Sequence, residues 1–325
     1  MELTVLNNDN GSQIAETRAI ETRKPFIEAN TIELGYKEIK EKHIVPVFAK
    51  NNEPAISHAE FIDVVSEAAT TCFGNTSPST DVRISHPIKG RIPEAIHKSA
   101  KELLENEKTI YYERMAFIIE LENIFQNVDG SLLKLTAGGV KAFNQDNLYG
   151  SKSAGETFHI FIGFQNTVCT NLCIWTDGMK LKVKVKSVED LYQQVLEMYQ
   201  EYDAVSQINA LERFTEMSLS EHQFALLLGR ARLYNYLPIG IKKEIPPLLF
   251  SDTQINTIAK AYYSDEQFPK EIDGSISLWN MYNLFTGSNK SSYIDSFLPR
   301  GQNSFEFVNS IQQALDKGDE HWFLN

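Results

Sequence analysis

Only three cysteines, Cys72, Cys169 and Cys173, occur in 325 residues. So sparse and odd a set excludes a disulfide framework and fits a chain held reduced in the cytoplasm. Long apolar runs are lacking too: no window reaches the roughly 18 consecutive residues that a spanning helix requires. The N-terminus has no charged region followed by an apolar one, so neither a signal peptide nor a membrane span is expected. Positive charge is also short, with 31 Lys and Arg against 43 Asp and Glu and a formal net charge of −12. That surplus opposes the counterion release behind non-specific nucleic-acid affinity, so contact with phosphates would need a local basic face. Signature spacings are missing as well. His43, His58, His86, His97, His159, His222 and His321 stand singly, outside HExxH or any pairing with CxxC, and no serine sits in GxSxG. The Gly138-Gly139 pair has no Lys-Ser/Thr after it to make a phosphate loop, and Glu120 and Glu122 alternate as a solvent-facing strand would place them. No nucleophile, cofactor or metal site is therefore assigned.

What is present is a core and its pattern. With 42% hydrophobic and 23% charged residues the chain can bury a sizeable interior. Its apolar centre is Phe158 to Gly178, FHIFIGFQNTVCTNLCIWTDG, flanked by amphipathic chain. Period-two patterning predicts strands over 110–121 and 131–143, joined at Asn127-Val128-Asp129-Gly130. Further strands follow over 157–164 and 168–176, linked tightly at Gln165-Asn166-Thr167. Asp177-Gly178 then reads as a turn into a last strand, Lys180 to Lys186. Residues 81–92 read as extended chain interrupted by Pro87 and Gly90, and 99–106 as a polar helix.

Helical periodicity appears on either side of these strands. Ser57 and Glu60 form a capping box ahead of Phe61, Val64, Val65 and Ala68. After Ser187, the stripe Val188, Leu191, Tyr192, Val195, Leu196, Tyr199 and Tyr202 begins a helical half, with further starts at Ser220 with Gln223 and Ser251 with Gln254. A last pair of helices falls near 277–285 and 304–315. The expected fold is α+β: a central, mostly antiparallel meander over about 108–186, with a helical C-terminal half packed on it. The expected division is a flexible N-terminal arm (1–52), a sheet region (53–187) and a helical region (188–325) forming one body with the sheet.

Two constellations qualify as candidate sites. Strict alternation from Lys180 to Lys186 places Lys180, Lys182, Lys184 and Lys186 on one strand face. That face is either an edge guarded by lysines or a patch for nucleic-acid backbone, extended by Lys89, Arg91, Lys98 and Lys101 if these fold nearby. Arg230, Arg232, Lys290, Tyr293 and Arg300 offer smaller patches of the same kind. The other constellation lies in the apolar centre, where Cys169, Asn171, Cys173 and Trp175 would share a strand face. Without a second Cys/His pair the cysteines read as packing residues rather than ligands. Asn166 and Asn171, as amides within a buried run, must each hold a turn or loop in place.

The segments IPEAIHKSA, EKTIYYERMAFIIE, LTAGGVKAFNQDNLYG, FIGFQNTVCTNLCIWTDG, SDTQIN and SLWNMYNLFTGSNKSSYIDSFLPRG resemble an uncharacterised family of unknown function from Bacteroides-type genomes, from about Ile92 to the C-terminus. In layout the chain is also similar to the broader phage/plasmid-related protein family of unknown function. That family pairs a Cys-Thr-Asn strand motif, here Cys169, Thr170 and Asn171, with a late Trp, Asn and Thr helix motif, here Trp279, Asn283 and Thr286. Neither family supplies a catalytic residue. The resemblance implies mobile genetic elements, and hence a non-enzymatic cytoplasmic protein of DNA replication, recombination or transfer, with DNA or an element or host protein as partner. Strands followed by a helix is an order shared with single-strand annealing proteins, an analogy of fold alone. The alternatives are a module that docks on a host factor or antagonises defence, and an enzyme built from dispersed residues, for which His86, His97 or His159 would have to meet a carboxylate in a pocket.

Overall fold

A computed structural model of the chain describes residues 4–5, 24–46, 56–74, 79–145 and 155–325. In chain order its strands are β1 (Thr4–Val5), β2 (Ile32–Glu33), β3 (Val45–Pro46), β4 (Ser79–Arg91), β5 (Lys108–Val128), β6 (Ser131–Ala142), β7 (Glu156–Asn166), β8 (Leu172–Val185), β9 (Ser218–Leu219) and β10 (Ile276–Ser277). Its helices are α1 (Tyr36–Lys42), α2 (His58–Phe73), α3 (Val188–Glu201), α4 (Ala204–Arg213), α5 (Glu221–Tyr236), α6 (Ile239–Lys242), α7 (Asp252–Ser264), α8 (Leu278–Asn289) and α9 (Ile294–Lys317).

The α+β class holds. Among the described residues the main sheet has eight strands, all paired antiparallel, in the order β2-β4-β5-β6-β7-β8, with β1 beside β5 and β3 beside β4. The hairpin between β5 and β6 turns at Asp129 and Gly130, with φ of 47° and 73°, as a tight two-residue link requires. Two strand assignments change. β4 is a full member of the sheet, paired with β5 from Ser79↔Glu120 to Arg91↔Lys108. Its Pro87 is tolerated because, among the described residues, the other edge of β4 carries only two-residue strands, which pair with residues 83–84 and 90–91 and leave the edge bare at Pro87; His86 beside it takes a left-handed φ of 59° without shifting the register to β5. The expected strands over 168–176 and 180–186 are parts of one edge strand, β8, which returns along β7 after irregular register at Phe161/Gly163. Gly178 is no turn: it lies flat on β7, where a Cβ would overlap the Ile162 carbonyl. The polar helix expected over 99–106 is reduced to turns and one short 3-10 turn, Glu105–Glu107.

The two sheet faces bury unequal cores. On the larger, α2 crosses the middle strands and Phe61 meets Phe117 and Phe158 edge-on at 5.0 and 4.7 Å between centroids. Gly139 makes this approach possible, since a Cβ there would overlap the Phe61 ring and sit 2.8 Å from the His159 carbonyl. α2 begins with its capping box, Glu60 N–H donating to Ser57 Oγ and Ser57 N–H to Glu60 Oε2. At one end of this face the fully buried Lys141 Nζ pairs with Glu156 at 2.8 Å and lies over the Phe143 and Phe158 rings. The smaller face packs Ala116, Ile118, Val140, Phe161 and Ile174 against the start of α9 and against Phe26 and Ile27. The reading of 1–52 as a flexible arm falls largely outside the described residues; within 24–46, Phe26 and Ile27 are buried. α9 starts ten residues before Ser304, carrying Pro299 inside it, and α4 is a separate helix between α3 and α5.

Candidate functional site

The lysine ladder lies on the outermost strand of the sheet, but not on one face of it. Lys180 pairs with Ile160 and Val183 with Phe158, so Lys180 and Val183 point to the same side. The alternation breaks at Lys182, whose φ of 59° marks a bulge, and Lys184, opposite Thr157, points to the other side. Lys180 is held by Glu197 of α3 at 2.6 Å. Lys182, Lys184 and Lys186 are exposed. Lys89 and Arg91 do not join them: β4 stands four strand positions from β8, about 19 Å away at the usual strand spacing. Arg91 is buried and donates to the carbonyls of Ile96 and Lys98, shaping the segment after β4. Lys98 pairs with Glu107. Arg230 is likewise engaged, donating to Trp322 O at 2.6 Å.

The second constellation is assembled by the β7–β8 link. Asn166 holds that link: its Oδ1 accepts from Val168 N at 2.9 Å and Cys169 N at 3.2 Å, and its N–H donates to Asn171 O at 3.0 Å. Thr170 takes a left-handed φ of 59° to complete the loop. Asn171 ties the loop to α8, its Nδ2 donating to Asn283 O at 3.1 Å and Asn283 Oδ1 at 3.3 Å. Asn283 Nδ2 in turn donates to Trp279 O at 3.0 Å, and Thr286 Oγ1 to Tyr282 O and Asn283 O. The Cys-Thr-Asn and Trp-Asn-Thr segments, more than a hundred residues apart, thus meet in one buried hydrogen-bonded junction. Each asparagine holds a loop, as its burial demanded.

Lys290, just past α8, closes the junction by donating to Cys169 O and to Thr170 Oγ1. Its own carbonyl accepts from Glu28 N at 2.8 Å, drawing residues 25–29 alongside. The arrangement leaves a cleft of about 480 Å³ whose lining includes Cys169, Asn171, Asn283, Ser288 and Lys290 on one side and Asp265 and Phe268 beyond α7 on the other. Lys290 was visible in the sequence only as one cation in a polar loop; no local pattern reveals a partner so distant in the chain.

The expected common face for Cys169, Asn171, Cys173 and Trp175 is not formed, because β8 begins only at Leu172. Cys169 lines the cleft while Cys173 lies in the main core, where Gln207 Nε2 donates to its carbonyl at 2.7 Å. Trp175 stacks on Phe305 at 5.9 Å. All three cysteines are free. Burial pushes the Cys169 thiol up to about 11 and Cys173 higher still, so neither is a thiolate nucleophile near neutral pH. No group of three or more His, Cys, Asp or Glu among the described residues could hold a metal ion. None of the histidines lines the cleft; His86 and His97 are exposed and His159 is buried under the smaller face. The Glu122 side chain of the carboxylate pair lies outside the described residues. No helix among those residues is long and apolar enough to cross a membrane.

A family model described as a domain of unknown function, B. Theta Gene description (DUF3871), matches residues 8–324, and the chain belongs to this family. No curated protein and no solved structure matches it.

Proposed function

We propose that this family member is a non-enzymatic, cytoplasmic protein of mobile genetic elements that contacts nucleic acid along the β8 edge, in replication, recombination or transfer. One observation carries the nucleic-acid assignment: on a chain of net charge −12, Lys182 and Lys184 on the outermost strand and Lys186 just past its end stand exposed, and among the described residues only Lys180 of the ladder is neutralised by a neighbouring carboxylate. The mobile-element context rests on the phage/plasmid-related resemblance, whose two motifs meet at the Asn171–Asn283 contact. Phosphates would follow the strand edge, and the bulge at Lys182 fans the cations to both sides of it. Lys89 and Arg91 have no part in this surface. Electrophoretic mobility shifts at low salt test the assignment: single-stranded DNA is shifted by the wild type and released by the triple lysine-to-glutamate variant. No wild-type shift, or an unchanged shift in the variant, removes it.

A second reading, a protein-interaction module, is favoured by a different surface. Leu233 and Tyr236 at the end of α5 and Ile239 and Ile241 in α6 are exposed, Tyr236 and Ile239 each by 77%. Clustered apolar exposure of this kind marks docking surfaces more often than chance. Co-purification of a host or element protein with the wild type but not with Leu233→Asp/Ile239→Asp supports it; an equal yield from both counts against it.

A further inference from the structure

The cleft beside the β7–β8 link has a donor and acceptor balance that goes beyond the nucleic-acid assignment and does not rest on it. The donors on its floor are already engaged within the protein. Asn171 Nδ2 bonds Asn283, Asn283 Nδ2 bonds Trp279 O, and Ser288 Oγ donates to Gln254 O at 3.0 Å. The Lys290 ammonium is turned to Cys169 O and Thr170 Oγ1. What these bonds leave towards the cleft are acceptors. Asn171 is only 3% exposed, and its Oδ1, which lines the cleft against Gly287, has no hydrogen-bond partner among the described residues. Glu28, Asp265 and Glu266 add three carboxylates, against Lys24 as the one lining cation besides Lys290 among the described residues. Asp265 uses Oδ1 to accept from Gln267 N and Phe268 N, both at 2.9 Å, which leaves Oδ2 for a ligand. Ala261, Phe268 and Leu284 give the same cleft apolar wall.

Acceptors and carboxylates over an apolar wall suit a group with several donors, a positive charge and an alkyl stem. We propose that the cleft receives a guanidinium or ammonium group carried on an alkyl chain, supplied by an arginine or lysine side chain of a partner protein or by a free polyamine. The Asn171 amide would accept from the inserted head, and Asp265 and Glu28 would balance its charge.

Calorimetric titration of the full chain at low salt with acetyl-arginine amide, spermidine and the neutral isostere acetyl-citrulline amide tests this. Either cation should bind, and citrulline amide at least about tenfold more weakly, the difference expected when a charge-assisted contact is lost. Tighter binding of acetyl-arginine amide identifies a side chain as the source; tighter binding of spermidine identifies a polyamine. Gly287→Met should abolish binding by filling the cleft. A Cβ at 287 meets only the Asn171 amide, at 3.7 and 3.8 Å, so the helix accepts the change. Glu28→Gln, at an exposed position, should weaken binding without touching the fold. Absence of binding by both cations, equal binding of citrulline amide, or full binding by a folded Gly287→Met overturns the proposal. The lysine-to-glutamate variant of β8 should bind as the wild type does, which separates this outcome from that of the nucleic-acid test.

Discussion

Replacing Asn171 by alanine probes the junction on which the candidate site is built. The change removes donors at 3.1 and 3.3 Å from Asn283 O and Oδ1. Asn283 O keeps Thr286 Oγ1 as a donor at 3.2 Å, so the buried Oδ1 is the acceptor left without one. An unsatisfied buried acceptor costs about 1–3 kcal/mol. Truncating a side chain that is 3% exposed adds about 1 kcal/mol of cavity cost. The expected loss is therefore about 2–4 kcal/mol. Asn171→Asp should cost more, because a carboxylate would face two acceptors. Urea unfolding followed by tryptophan fluorescence measures the loss, with Trp279 in α8 as a nearby reporter. A double-mutant cycle with Asn283→Ala should give a coupling of about 1 kcal/mol or more. A loss below about 0.5 kcal/mol, or strict additivity in the cycle, would show that the contact does not join the two segments.

The same physical chemistry yields further expectations elsewhere in the chain. Gly139→Ala forces a Cβ into the Phe61 ring and should destabilise by about 1–3 kcal/mol in the same urea assay, since an overpacked core cannot relax freely; a neutral result would contradict the α2 packing. Glu156→Gln removes the carboxylate that stands 2.8 Å from the buried Lys141 ammonium and should cost about 3 kcal/mol, largely restored by adding Lys141→Met; an equally unstable double variant would refute this. Burial, the larger cause, and the charge of Lys141 lower the His58 pKa from 6.5 to about 4, so the folded protein resists protonating it. Its effect on stability is nil above about pH 6.5, and stability falls as pH drops from there towards 4, by about 3 kcal/mol in all. His58→Gln should flatten that part of the stability profile, and an identical slope in the variant would contradict the assignment.

Much of the fold could be read from residues whose partners lie close in sequence. The capping boxes at Ser57 with Glu60, Ser220 with Gln223 and Ser251 with Gln254 all form, because each bond spans three residues. The β5–β6 hairpin follows from Asp129-Gly130 for the same reason. Misreadings arose where a local signal was overridden by tertiary contact. Asp177-Gly178 has turn composition, yet Gly178 is needed for flat packing on β7. Pro87 and Gly90 suggested interruption, but a nearly bare outer edge lets β4 pair with β5 along its length in one register. Pro299 obscured the first turns of α9. The lysine alternation was accurate as a pattern, and one left-handed residue, Lys182, divided it between faces. The cleft was illegible because its parts come from residues near 25, 170, 265 and 288, and no single stretch encodes their meeting. Asn166 and Asn171 were nevertheless identifiable, since a buried amide always implies a specific partner.

The nucleic-acid assignment is tested most directly by the salt dependence of single-stranded DNA binding, measured by fluorescence anisotropy with an oligothymidylate. Three exposed lysines that each neutralise one phosphate give a slope of log affinity against log salt of about −2. Affinity should then fall by about 20-fold between 50 and 200 mM salt. The wild type should show this slope, and the Lys182→Glu/Lys184→Glu/Lys186→Glu variant should show neither the binding nor the slope. Undetectable binding by the wild type at the lowest salt, or the same affinity and slope in the triple variant, would contradict a nucleic-acid contact at the β8 edge.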